Sequence, residues 1–204
     1  MSAAPKASPS QGTWHGEDAP PAIPRPGPLG WLLVATRGTG ILSVLLLGVI
    51  LILPMRRVER LFAGPRRPVT GPHVQLVCRL CLWIMGLRWH REGQPMRGAG
   101  AVVANHSSWL DIFVLNAAMP VFFVSKAEVL AWPLLGWLIQ GAGTLFIERE
   151  RKRDALRVLH QVADSLKAGE TVAVFPEGTT GDGASLLPFH ANLLQSAIAT
   201  GTPV

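Results

Sequence analysis

The stretch "GAVVANHSSWLDIFVLNAA", residues 100–118, decides the reading of the whole chain. Gly100 to Ala104 is a short run of small and β-branched apolar residues, the composition of a strand buried on both faces. Asn105, His106, Ser107 and Ser108 interrupt it, and "WLDIFVLNAA" follows as a helix that Ser107 or Ser108 is suited to cap. Asp111 then falls near the end of the first helical turn, where the N-terminal dipole favours its ionised form. Two residues five apart inside one helix point about 140° away from each other and do not meet. A His in the turn before the helix, however, can bend back onto such an Asp. The spacing therefore predicts a His106–Asp111 dyad at the end of a buried strand.

Downstream, the same alternation continues. "VFFVS" (121–125), "TLFIE" (144–148) and "TVAVF" (171–175) read as further buried strands, with helical segments between them. The clearest helix is Arg149 to Ala168, apolar at 155, 156, 158, 159, 162, 163 and 166, with Gly169 as its stop. The expected fold class is α/β: a mixed, mostly parallel sheet flanked by helices. No internal repeat is present.

Upstream, composition changes. Charged residues make up only 16% of the chain, against about 25% in ordinary globular proteins. Residues 1–28 hold seven of the seventeen Pro and read as a disordered tail. From Leu29 to Leu53 the only charge is Arg37, and the uninterrupted part from Gly38 to Leu53 is 16 residues. At 1.5 Å per residue that reaches roughly 24 Å, so the stretch from Leu29 is needed to cross a core of about 30 Å. "VQLVCRLCLWIMGLRW" (74–89) reads as an interfacial helix. Between Arg56 and Arg97 nine Arg stand against Glu59 and Glu92, a local balance of +7 within a net +6.

A basic belt beside an apolar segment fits an anionic lipid surface, and the positive-inside rule puts the downstream domain in the cytoplasm, at an inner or plasma membrane. No nucleic-acid recognition motif accompanies the belt. A cleaved signal peptide is not expected, since 28 residues precede the apolar run. The resulting organisation is a tail at 1–28, membrane-anchoring and interfacial helices at 29–92, and a catalytic α/β domain at 93–204.

Chemistry narrows the function. A neutral His with one ring N–H held by a carboxylate offers its other nitrogen as a general base. No G-x-S-x-G elbow supplies a nucleophile, which favours a substrate hydroxyl over that of Ser107 or Ser108 as the group the base activates. Cys78 and Cys81 form a C-x-x-C with no second ligand pair and no strand before it, which reads as two buried residues rather than a metal or redox site. "VAVFPEGTTGDG" (172–183) is a strand stopped by Pro176 and followed by a turn rich in N–H groups and hydroxyls, suited to an anion or a polyol. "GTLFIERERKR" (143–153) leads a strand into a cluster of cations near a helix start, which opposes the helix dipole and fits phosphate binding.

In this order the pieces resemble the 1-acylglycerol-3-phosphate acyltransferase family of glycerolipid acyltransferases. Its N-H-x4-D motif matches Asn105, His106 and Asp111. Its G-x-x-F-I-D/E-R motif matches Gly143, Phe146, Ile147, Glu148 and Arg149, and its F-P-E-G-T motif matches Phe175, Pro176, Glu177, Gly178 and Thr179.

The resemblance implies acyl transfer from acyl-CoA or acyl-carrier protein to the free hydroxyl of a lysophospholipid, with His106 and Asp111 catalytic. Asn105, Gly143, Arg149 and Phe175 to Thr179 would bind substrate, no metal or cofactor would be required, and "VLAWPLLGWLI" (129–139) would line an acyl path. The foremost acceptor would be 1-acyl-sn-glycerol-3-phosphate, giving phosphatidic acid. Thr180 departs from the family, which commonly has Arg there, and His190 stands where a basic residue often follows L-P-F. Lyso-ornithine lipid, whose head group lacks phosphate, is the alternative acceptor. The family also continues into a further strand, so an extension beyond Val204 is expected. From a different class, a lipid-binding protein or a lipid esterase using His106 with water remains open.

Overall fold

The computed structural model describes residues 25–64, 66–96, 98–126, 145–147, 152–181, 183, 185–190 and 194–204. Residues 1–24 of the stretch 1–28, the apolar segment 129–139, Gly143, Glu148 and Arg149 lie outside the described residues, and Pro28 is the first residue of a helix. The elements are α1 (Pro28–Ala63), α2 (Thr70–Met85), β1 (Gly100–Val103), α3 (Asp111–Ala118), β2 (Phe122–Lys126), β3 (Leu145–Ile147), α4 (Lys152–Lys167), β4 (Thr171–Val174) and α5 (Gln195–Thr200).

All four apolar runs form strands, and they lie in one sheet of order β1-β4-β2-β3 in which every pairing is parallel. Parallel strands need crossovers, and the intervening helices cover both faces of the sheet. Alternation along β4 sorts its side chains. Val172 and Val174 pack with Phe122 of β2, with Val162 and Leu166 of α4, and with Ala197 of α5. Ala173 and Phe175 point the opposite way, toward Phe123 of β2 and Ile112 and Leu115 of α3. This parity carries the end of β4 to the α3 side, where the polar turn after β1 also emerges. Gly169, at φ 88, stops α4 as expected.

One boundary differs from expectation. The helix after His106 begins at Asp111 rather than at Trp109, because Trp109 and Leu110 form a turn whose Leu110 N–H is taken by Ser108 Oγ at 3.2 Å. Pro54, which follows the apolar run, lies inside α1, and the helix continues to Ala63. Proline removes one backbone donor and crowds a carbonyl, but the turn beyond it is tied to α2. Buried Glu59 accepts from the N–H groups of Val69 (2.6 Å) and Thr70 (3.0 Å), from Thr70 Oγ1 and from Arg56 Nη1 (3.0 Å). Glu59 thus takes the donors that the start of α2 would otherwise leave unpaired.

Glu59→Ala strands those buried donors. Such a loss costs about 3 kcal/mol, to be read as a lower thermal midpoint in detergent with the strand content retained.

The two N-terminal helices pack along one another, closely enough that a Cβ on Gly48 would meet Val77 at 3.1 Å. Arg37, the sole charge in the apolar run, lies against Gly86 just past the C-terminus of α2. The negative end of a helix dipole is a favourable place for a cation. Among the described residues α1 is the one helix long and apolar enough to cross a membrane. Its 36 residues span ~54 Å. The face of α2 turned from the protein exposes Leu76, Leu80 and Trp83.

On its other side α2 grips α3. Arg79 Nε donates to Ala117 O at 2.9 Å and Gln75 Nε2 to the carbonyls of Ala117 and Ala118 at 3.1 Å each, which satisfies the end of that helix. Cys78 and Cys81 are buried at this junction, and burial pushes their thiols up to about 12 and about 11. Thiols so resistant to ionisation are packing groups. His73 is also structural, its Nε2 lying 3.1 Å from Gly48 O.

Candidate active site

Strand β1 ends at Val103, Ala104 N–H still bonds Val174 O at 3.2 Å, and the chain then leaves the sheet at Asn105. The turn after it is organised around one carboxylate oxygen. Asp111 Oδ2 accepts from Ser107 N–H and Ser108 N–H, each at 2.9 Å, and from His106 Nδ1 at 2.8 Å. Asp111 is the first residue of α3, so its charge sits where the helix dipole is positive. The contact expected from the spacing is present: His106 bends back from the turn onto the first residue of α3. In a neutral imidazole whose Nδ1–H is held by this carboxylate, the lone pair is on Nε2. Both side chains are about one fifth exposed, at 20% and 23%, so solutes reach them.

The strand β4 supplies the rest. Phe175, directed to the α3 side by the alternation of β4, stacks on the His106 ring with centroids 4.1 Å apart and planes at 17°. Phe123 backs it at 5.9 Å. Two residues on, in the turn that follows the strand, Glu177 is buried, 5% exposed. Its Oε2 accepts from His106 N–H at 2.7 Å and its Oε1 from Leu187 N–H at 3.1 Å. The His106 carbonyl in turn accepts from Gly181 N–H at 2.7 Å. His106 is therefore held at its backbone N–H, its backbone carbonyl, its ring nitrogen and one ring face, three of the four by the 175–181 segment.

Pro176 is buried and its carbonyl accepts from His190 N–H at 2.8 Å. Gly178 turns at φ 68, where glycine carries no Cβ penalty. The His190 ring lies so close that a Cβ on Gly178 would meet its Cδ2 at 3.2 Å. Thr179 and Thr180 are half-buried and Asn105 is exposed. Phe146 and Ile147 lie in β3, next to β2. Of the residues predicted from sequence, the structure brings together His106, Asp111, Phe175, Pro176, Glu177 and Gly178. Gly181 and Leu187 join them without a sequence signal, because a backbone donor leaves no signature in a side-chain pattern.

The acyltransferase family profile matches residues 87–204, which span β1 to the last residue and include this whole arrangement. The chain belongs to the acyltransferase family. Among relatives of this acyltransferase, a lyso-ornithine lipid O-acyltransferase of Rhodobacter capsulatus is 43% identical over 188 residues, covering 92% of this chain and 67% of that one. A 1-acyl-sn-glycerol-3-phosphate acyltransferase of Neisseria meningitidis is 48% identical over 120 residues, 59% of this chain and 47% of that one. The chain thus spans between about half and two thirds of these relatives' length.

The crystal structure of the 1-acyl-sn-glycerophosphate (LPA) acyltransferase from Thermotoga maritima superposes with a TM-score of 0.55 at 22% identity, covering 81% of this chain and 72% of that one. That likeness establishes a shared fold.

Proposed function

We propose that this acyltransferase moves a fatty-acyl group from the thioester of acyl-CoA or acyl-carrier protein to the free hydroxyl of a lysolipid. The observation that carries the reading is the 2.8 Å contact between His106 Nδ1 and Asp111, which leaves Nε2 with its lone pair in a reachable position. Nε2 takes the proton as the acceptor oxygen attacks the thioester carbonyl and forms the new C–O bond. Asp111 stabilises the imidazolium that results. Collapse of the tetrahedral intermediate breaks the C–S bond, and the departing thiolate takes the proton from His106. The products are an ester and a free thiol, and no cofactor is consumed.

For the acceptor, we infer lyso-ornithine lipid as the first reading. Thr180 stands where a phosphate-binding Arg is common in the family. The relative aligned along 92% of this chain is named for that lipid. The second reading, 1-acyl-sn-glycerol-3-phosphate, is favoured by the 48% identity of the Neisseria sequence over 120 residues. The exposed side of the turn at Thr179 and Thr180, with Asn105 and Arg149, is the proposed contact for the head group. The α1–α2 pair with its basic belt is the proposed anchor to an anionic, cytoplasm-facing membrane surface.

Supplying labelled acyl thioester with each acceptor in turn tests both readings. Diacyl product on lyso-ornithine lipid alone supports the first, product on lysophosphatidic acid alone the second. Intact donor with both sinks the catalytic reading, and hydrolysed donor without product points to an esterase.

A further inference from the structure

We propose that Glu177 and Phe175 are positioning residues for His106, not contacts for the acceptor head group. This rests on the acyl-transfer reading above and assigns two side chains of that same site a different task. Glu177 is 5% exposed, and each of its carboxylate oxygens is engaged by a backbone N–H, of His106 at 2.7 Å and of Leu187 at 3.1 Å. A carboxylate that is buried and faces two inward donors is directed away from solvent and from a head group that arrives there. What Glu177 reaches is the peptide that carries the base, 71 residues earlier in the chain.

Phe175 acts on the other end of the same residue. Its ring lies flat on the imidazole at 4.1 Å, and Phe123 lies behind it. The stack fixes the rotation of the imidazole about its last torsion, the freedom that the single contact at Nδ1 leaves. Asp111 selects the tautomer, Phe175 the plane of the ring, and Glu177 with Gly181 the position of the backbone from which the ring hangs. Nε2 is aimed only when all of these act together, and a misplacement of about 1 Å in such a base costs on the order of a hundredfold in rate.

The test is steady-state kinetics of the full chain in detergent with the preferred acceptor, in wild type, Glu177→Gln, Phe175→Leu, Phe175→Tyr and His106→Ala, each normalised to folded protein by circular dichroism. Glu177→Gln keeps the shape but places an amide N–H₂ against one of the two donors. Phe175→Leu keeps an apolar side chain but removes the flat face. Both should lower kcat by roughly ten- to a hundredfold and leave the acceptor and donor KM within about twofold. Phe175→Tyr, which keeps a ring, should recover most of what Phe175→Leu loses.

A head-group contact predicts the opposite split for Glu177→Gln, acceptor KM raised about tenfold with kcat kept, and that result overturns the proposal. Equal loss in Phe175→Leu and Phe175→Tyr overturns the stacking half, because a packing role does not distinguish a tyrosine that restores the ring. If wild type transfers acyl groups and His106→Ala does not, while Glu177→Gln and Phe175→Leu keep their kcat, the positioning inference fails and the dyad stands. If wild type transfers to neither acceptor, it is the functional reading that fails.

Discussion

Replacing His106 with Ala is expected to lower kcat for acyl transfer by roughly 10²–10⁴, the usual contribution of a positioned general base. The protein should still fold, because the contacts that Glu177 and Gly181 make are to the backbone of residue 106 and survive the truncation. Asp111 likewise keeps the N–H groups of Ser107 and Ser108. What disappears is the only group whose unpaired nitrogen faces a substrate hydroxyl in the proposed scheme. Loss of labelled diacyl product, with an unchanged circular dichroism spectrum, is the expected measurement. Transfer at the wild-type rate would rule out His106 as the base.

Much of this arrangement is legible in the sequence. Four short apolar runs become four parallel strands, because a strand covered on both faces needs nothing but apolar residues and leaves an unmistakable run. The dyad is legible because both partners sit within one local turn, His106 just before α3 and Asp111 at its first residue.

The apolar helical period puts the start of α3 too early because Trp109 and Leu110 fit it, while Asp111 and Ser108 draw the local N–H groups into a turn instead. α1 runs past the end of its apolar stretch for the converse reason. Local chemistry at Pro54 says stop, but Glu59 ties the turn beyond it to Val69 and Thr70, and tertiary contact overrides propensity.

The work of Glu177 is not legible at all. Its motif marks a turn with exposed donors, which reads as a binding loop, and its partner lies 71 residues away. Only the sheet order reveals the connection: β4 lies beside β1, in register Val103 with Val174, so the turn after one strand is the neighbour of the turn after the other. The two sequence motifs that look like separate sites, one for chemistry and one for recognition, are adjacent ends of paired parallel strands. Ligand sites in open α/β sheets lie at such carboxyl ends, and here that placement lets one turn brace the other.

The second large effect is expected from Asp111→Asn. The substitution keeps size and polarity, yet Oδ2 accepts three N–H donors at once, from His106, Ser107 and Ser108. An amide has one acceptor oxygen and one donor nitrogen. If its oxygen stays toward the two backbone donors and the ring, the geometry is kept but the negative charge that stabilises the imidazolium is gone. If the amide turns its nitrogen to the ring, Nδ1 must become the acceptor, and the proton moves to Nε2, which can then no longer take one from the acceptor. Both outcomes act on the transition state, where the imidazolium forms, and neither touches substrate. The expected result is kcat reduced by about 10²–10⁴, with KM for both substrates nearly unchanged and stability lowered by roughly 1–2 kcal/mol from the weakened turn. Steady-state kinetics beside a thermal melt separates these. A raised KM at constant kcat would place Asp111 among the groups that bind substrate and take it out of the dyad.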